Sequence, residues 1–263
     1  MSETNHVIVI GAGAAGMLAA IAAAREGAAV ELWEQNEKPG KKLFITGKGR
    51  CNVTNACDME ELLGSVVSNS KFLYSSFYGF TNQDMMDLLE QAGLHLKVER
   101  GNRVFPQSDK SSDVISALSA LLRQAGVRVC LNQKAEGLAV EEGVCKGVRC
   151  GGRIQTADRV IVATGGLSYP ATGSTGDGLK WAADSGHRLT ELSPALVPFV
   201  VKEPVVKELQ GLSLKNIEAT VMRGKKVIYR EFGEMLFTHY GVSGPVLLSA
   251  SSYAVKELKK GPL

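Results

Sequence analysis

His6-Val7-Ile8-Val9-Ile10 runs straight into Gly11-Ala12-Gly13-Ala14-Ala15-Gly16, and Met17 to Arg25 follows as an alanine- and leucine-rich stretch closed by Gly27. The apolar pentad has no polar alternation, as expected of a strand covered on both faces. Residues 17–25 are good helix formers, and a glycine just beyond them is a stop signal. Ala29-Val30-Glu31-Leu32-Trp33 then supplies a second strand, ending at Glu34. The sum is a βαβ unit with its glycines in the first turn.

That placement gives the glycines their meaning. Gly11 permits the tight turn, Gly13 lets a pyrophosphate approach the backbone, and Gly16 lets helix and strand pack closely. The helix start offers unpaired N–H groups and a partial positive charge to the same anion. Ala14 and Ala15 belong to that first turn. Glu34 lies 18 residues beyond Gly16, close to the spacing of about 20 at which a carboxylate reaches ribose hydroxyls and disfavours a 2′-phosphate. Glycine as packing punctuation explains Gly16 alone. A dinucleotide site explains all four features, though the fingerprint does not separate NAD from FAD.

Composition bounds the rest. The chain has 263 residues, enough for one large or two modest domains. With 44% hydrophobic and 22% charged residues it is ordinary globular material. Thirty basic residues against 27 acidic ones leave a net charge of +3, too small a field to suggest nucleic acid. Five cysteines without a CxxC pair argue against a disulfide framework or structural metal and suit a reducing cytoplasm. His6 to Ala24 is apolar but broken by glycines and lacks a basic leader. No other stretch approaches a membrane-spanning length. A soluble cytoplasmic protein with no membrane partner is expected.

Further along, residues 35–58 read as a long polar loop carrying Lys38, Lys41, Lys42, Lys48 and Arg50, and loops of that length are usually functional. Residues 59–93 read as mainly helical, with a turn near Gly79. Ser112-Asp113 reads as the cap of a helix over 114–124. An antiparallel meander is expected over 127–156. Asp158 to Ala163 reads as another buried strand, running into Thr164-Gly165-Gly166. Thr172 to Gly178 opens a helix over 179–185, which Asp177 would cap. Pro194, Pro198 and Pro204 then precede short antiparallel strands, so a domain boundary falls near residue 190: residues 1–190 and 191–263. The meander and the second glycine turn at the sheet edge favour FAD over NAD at this site. Trp33 and Trp181 read as core.

Five segments in order carry a more specific likeness. They are Val9 to Gly16, Gly49-Arg50-Cys51-Asn52-Val53-Thr54-Asn55, Ala163-Thr164-Gly165-Gly166, Thr175-Gly176-Asp177-Gly178 and Phe237-Thr238-His239-Tyr240-Gly241-Val242-Ser243-Gly244-Pro245. Together the chain resembles the HI0933-like or BaiN-like bacterial NAD(P)/FAD-dependent oxidoreductases. The Ala-Thr-Gly-Gly and Thr-Gly-Asp-Gly pair is also similar to fumarate-reductase-type flavoproteins.

The resemblance implies an α/β, Rossmann-like FAD-binding domain with an inserted β-rich domain. It also implies an oxidoreductase whose flavin takes hydride from NAD(P)H and passes it to a small organic acceptor or oxygen. The expected cofactor contacts are Gly11, Gly13, Ala14, Ala15, Gly16, Glu34, Gln35, Lys42, Gly49, Arg50, Cys51, Asn52, Ala135, Ala163, Thr164, Gly165 and Asp177. No metal site is expected. His239, a proton-transfer candidate, and Cys51, a redox candidate, are the two possible catalytic groups, with a packed histidine and a passive thiol as the alternatives. Members of the family continue beyond the point matching Leu263. The expectation is therefore a partial insert and a flavin pocket that needs a missing C-terminal segment or companion chain. A non-catalytic dinucleotide-binding fragment and an NAD dehydrogenase remain alternatives.

Overall fold

The computed structural model describes residues 4–263. Two compact units emerge. One runs to Ser65 and resumes over Lys71–Leu189, and the other comprises Val66–Ser70 and Thr190–Leu263.

The first unit begins as the sequence predicts, with β1 (His6–Ile10), α1 (Ala14–Arg25) and β2 (Ala29–Trp33). It continues with α2 (Lys41–Ile45), β3 (Thr54–Asn55), α3 (Met59–Gly64), α4 (Tyr74–Gly79) and α5 (Asn82–Gln91). Next come the hairpin β4 (Leu96–Glu99) and β5 (Arg103–Pro106), then α6 (Ser111–Gln124) and β6 (Arg128–Cys130). The strands β7 (Gly137–Glu141), β8 (Val144–Cys150), β9 (Arg153–Thr156) and β10 (Arg159–Val162), with α7 (Asp177–Asp184), complete it.

The central sheet has the order β10-β1-β2-β6 and is parallel throughout. β1 is buried along Val7–Ile10 because its two faces meet different layers. Val7 and Val9 pack with Met17, Ile21, Leu118 and Leu122 of the α1 and α6 layer. Ile8 and Ile10 pack with Trp33, Ala135, Val148 and Trp181 on the other side. Side chains alternate along a strand, so a continuous apolar run serves two cores at once. Successive crossovers leave β1 toward β2 on one side and arrive at β10 on the other. The order therefore reverses beside β1, where doubly wound sheets bind ligands at their carboxyl ends.

Several expectations need correction. Residues 35–58 are not structureless: α2, a 3₁₀ turn over Thr46–Gly49 and β3 lie within them, and β3 pairs with β5 from far along the chain. The stretch 59–93 is mainly helical with a break at Gly79, as expected, but it is divided into three helices, and a 3₁₀ turn over Ser70–Leu73 leads into α4. Ser112 and Asp113 sit inside the first turn of α6, whose cap position is Lys110. Likewise Asp177 is the first residue of α7, and Gly176 holds the cap position. The meander is confined to β7–β9, and β6 instead joins the parallel sheet at β2.

The second unit holds β11 (Phe199–Val200), α8 (Val205–Glu208), β12 (Ser213–Arg223), β13 (Lys226–Thr238), β14 (Gly241–Ser243) and α9 (Pro245–Leu258). Its strands form one antiparallel sheet ordered β11-β14-β13-β12. α9 is not among the elements expected from the sequence. Pro245 occupies its first turn, where a missing N–H costs nothing, and Val246, Leu247, Ala250 and Ala254 form its buried stripe.

Candidate functional site

A pocket of about 280 Å³ opens at the carboxyl ends of β1, β2 and β10. Its floor is the turn Gly11–Ala15. One wall is Trp33-Glu34-Gln35 with Gln133 and Ala135, another is Lys41, Lys42, Leu43 and Thr46 of the α2 region. Ala163, Thr164 and Gly165 with Gly173, Ser174, Asp177 and Trp181 close the remainder.

The three glycines have different surroundings. Gly11 adopts φ +100°, and a Cβ there would sit 2.6 Å from the Ala163 carbonyl oxygen. A Cβ on Gly16 would overlap the Gly11 carbonyl and lie 3.3 Å from the Ala163 Cβ, so this glycine is a packing requirement. Gly13 is different. Apart from its own chain neighbours, no atom of the described residues lies within 4 Å of where its Cβ would be, so the space above it is free for a ligand. Gly13 is also the cap residue of α1, with no side-chain cap and no acidic residue in the first turn. Among the described residues, the positive end of α1 therefore faces the pocket without a protein partner at Ala14 and Ala15.

Glu34 fixes the opposite side. The residue is buried, 8% exposed. Oε2 accepts the Ala12 N–H at 2.9 Å, and Oε1 accepts the Asn36 N–H at 2.9 Å and the Asn36 Nδ2 at 2.6 Å. A carboxylate offers about four acceptor positions, so one lone pair remains for a ligand hydroxyl. Asn36 and Gln35 in turn donate to the carbonyls of Thr172 (3.2 Å) and Gly173 (3.0 Å), tying the β2 end to the loop after β10. Lys42 makes a second tie: its Nζ donates to the Ser168 carbonyl and the Ser174 Oγ, both at 2.7 Å.

The start of α7 is less free than its sequence suggests. The Gly178 N–H donates to Thr164 Oγ1 at 3.2 Å and the Leu179 N–H to the Gly176 carbonyl at 3.0 Å. Asp177 accepts the Thr175 hydroxyl at 2.8 Å. Most of the N–H groups in the first turn of α7 therefore already have partners.

Of the residues singled out from the sequence, Gly11, Gly13, Ala14, Ala15, Glu34, Gln35, Lys42, Ala135, Ala163, Thr164, Gly165 and Asp177 line this one pocket. Gly16 lies behind it. Gly49, Arg50, Cys51 and Asn52 are not on its lining. Arg50 instead pairs with Glu99 and Asp109 and stacks 4.2 Å from the Phe105 ring centre. Cys51 is buried, and burial pushes its thiol up from the ordinary range, opposite to what a reactive thiolate needs. His239 belongs to the second unit, exposed in the turn between β13 and β14 against Tyr240. The pocket residues Thr46, Gln133 and Ser174 are not among the expected contacts, because no local pattern marks them; Lys41, in the basic loop, joins Lys42 on the lining. Among the described residues, no group of three or more His, Cys, Asp or Glu is placed to hold a metal, and no helix is long and apolar enough to cross a membrane.

Comparison with known proteins sharpens this geometry. A family model described as the HI0933-like protein Rossmann domain matches residues 5–251. A 3-dehydro-bile acid delta(4,6)-reductase from Clostridium scindens is 35% identical, the match covering 98% of this chain and 62% of that protein. The ribosomal RNA dihydrouridine synthase of Escherichia coli K12 is 31% identical over 95% of this chain and 61% of its own length. Among solved structures, the open conformation of a flavocytochrome c3 fumarate reductase shares the fold, with a TM-score of 0.55 at 24% identity over 82% of this chain and 47% of that one. The chain thus spans less than two thirds of the length of these two curated relatives.

Proposed function

The chain belongs to the HI0933-like family, and we propose on that premise that it is an FAD-dependent oxidoreductase. The observation that carries the cofactor is the pairing of an uncapped, unobstructed α1 start at Gly13–Ala15 with the buried carboxylate of Glu34. The first offers N–H groups to a diphosphate, and the second offers an acceptor to a ribose hydroxyl. A carboxylate in that place repels a 2′-phosphate, which favours FAD or NAD over NADP as the resident nucleotide. The meander stacked over the second face of the sheet, together with the family, favours FAD.

When bound, FAD supplies hydride exchange at its isoalloxazine ring. The residues here bind and orient. The α1 start holds the diphosphate, Glu34 holds the adenosine ribose, and Lys42 with Ser174 fixes the loop that closes the pocket. NAD(P)H is the proposed electron donor. The names of both curated relatives describe hydrogen added across a carbon–carbon double bond, so the proposed acceptor class is an alkene made electron-poor by a neighbouring carbonyl. A small-molecule acceptor fits the near balance of 30 basic and 27 acidic residues. An RNA acceptor is the second reading, carried by the Escherichia coli relative's name.

The test begins with the visible spectrum of the purified chain before and after incubation with FAD. Flavin absorption that survives desalting is expected. Its absence in both samples sinks the cofactor assignment. Anaerobic bleaching by NADH or NADPH then tests the donor. Reoxidation of the bleached protein by a 3-oxo-4,6-diene steroid or by uridine-containing ribosomal RNA fragments separates the two acceptor readings.

A further inference from the structure

Gly49-Arg50-Cys51-Asn52 is the most distinctive run in the chain, yet none of its residues lines the pocket. The side chains of Arg50 and Asn52 instead reach the β3-β5-β4 sheet and the loop after it. Arg50 donates through Nε to Asp109 (2.8 Å) and through one terminal nitrogen to both Asp109 and Glu99. Lys97 donates to the second oxygen of Asp109 at 2.6 Å and lies 3.6 Å from Glu99. The Arg50 guanidinium also covers the buried Phe105 ring. Asn52, with its amide oriented to donate, reaches the carbonyls of Thr54 (3.1 Å) and Val104 (3.2 Å).

What this anchoring holds is legible in the backbone. Lys48 and Cys51 are non-glycine residues in the left-handed region, at φ +58° and +59°, a state that persists only where surrounding contacts impose it. The Cys51 N–H donates to the Thr46 carbonyl at 3.1 Å, and the Thr46 hydroxyl donates to the Leu43 carbonyl at 2.8 Å. Thr46 and Leu43 line the pocket, next to Lys42. A continuous chain of contacts therefore runs from the ion cluster to the α2 wall.

We propose that Arg50 is a positioning residue: clamped between Glu99 at the end of β4 and Asp109 in the loop after β5, it sets through Cys51 and Thr46 the place of the α2 wall of the pocket. The inference rests on the FAD reading only for what the pocket holds. Each exposed ion pair alone would contribute little. Here the four charged groups form one network with a planar guanidinium stacked on an aromatic ring, a geometry that lysine reproduces only in part.

The decisive comparison is between Arg50→Ala and Asp109→Asn in the full chain. Positioning predicts that both weaken FAD binding, by roughly tenfold or more for the loss of charge-assisted hydrogen bonds, and that Arg50→Lys recovers much of the loss. Direct contact between Arg50 and the cofactor predicts the reverse for Asp109→Asn, which frees the guanidinium and leaves binding equal or tighter. That result overturns the proposal. Amide hydrogen exchange without FAD gives an independent readout. Residues 41–49 should exchange faster in Arg50→Ala and Asp109→Asn than in the parent chain, and unchanged protection there also overturns it. If either variant fails to fold, Glu99→Gln and Arg50→Lys make the same comparison. A parent chain that never takes up FAD defeats the cofactor reading, while the exchange data still judge the clamp.

Discussion

The carboxylate of Glu34 and the backbone N–H of Ala12, 22 residues apart in sequence, meet at 2.9 Å in a buried hydrogen bond. This contact locks the end of β2 to the glycine turn, so the residue that would hold the ribose also shapes the loop that would hold the diphosphate. One carboxylate thus couples both halves of the nucleotide site.

Glu34→Gln should therefore damage stability and binding together. Its amide NH₂ must face either the Ala12 N–H or the Asn36 donors, and a buried donor left without an acceptor costs about 1–3 kcal/mol. Urea unfolding should show a loss of that size, and a titration with FAD should show affinity lower by roughly tenfold or more, consistent with losing a charged acceptor. Parent-like values in both experiments contradict the assignment.

Gly13 and Gly16 separate the two kinds of glycine requirement. Gly13 has φ −78°, an ordinary value for alanine, and open space where the Cβ would go. Gly13→Ala should fold with an unfolding midpoint equal to or slightly above the parent's, because alanine restricts the unfolded chain, yet bind FAD poorly. Gly16→Ala should lose about 1–3 kcal/mol or more, since the new methyl overlaps the Gly11 carbonyl. Thermal melts paired with flavin content decide it. Equal flavin retention by Gly13→Ala and the parent removes the argument for close cofactor approach.

How far the sequence carries depends on how local the cause is. β1, the glycine turn, α1, β2 and Glu34 were legible because strand, turn and helix signals sit within one short segment and each has a local physical reason. The Arg50 cluster was not. Its partners lie 49 and 59 residues away, and the same arginine in a polar loop reads equally well as a cofactor contact. β6 reads as part of the meander because a strand as short as Arg128–Cys130 carries no record of which sheet it joins, and only the pairing of Glu31–Trp33 with Arg128–Cys130 settles that. α9 escaped notice although Pro245 was a start signal, because Ser249, Ser251 and Ser252 lower helix propensity while burial on the β13 side stabilises it.

Thiol chemistry offers a third check. Cys51 is 2% exposed, and burial raises its thiol above the ordinary range. Cys130 is less buried, and burial first and Glu31 second raise it also. All five cysteines are free. Under native conditions Cys51 should resist alkylation at neutral pH and react only on unfolding, whereas Cys145 and Cys150, partly open to solvent, react earlier. Peptide mapping of timed iodoacetamide reactions measures this. Early labelling of Cys51 would restore it as a redox-active candidate.

The second unit carries a separate acid-sensitive tie. Glu257 on α9 accepts Lys260 Nζ and the Arg223 guanidinium of β12, each at 2.9 Å. Those bonds, Lys260 first and Arg223 second, hold its carboxyl at about 2, against an ordinary 4.5. A carboxyl depressed in the folded state stabilises the fold fully above its unfolded value and loses that contribution as pH falls toward the folded one. The window is therefore pH 4.5 down to about 2. Glu257→Gln should be less stable than the parent at pH 7, and the difference should shrink through that window, because the other depressed carboxylates act equally in both chains. Urea unfolding followed by circular dichroism at a series of pH values tests it. A parent–variant difference that stays constant from pH 7 to 2 means that the Arg223–Glu257–Lys260 contacts contribute nothing to holding α9 against β12.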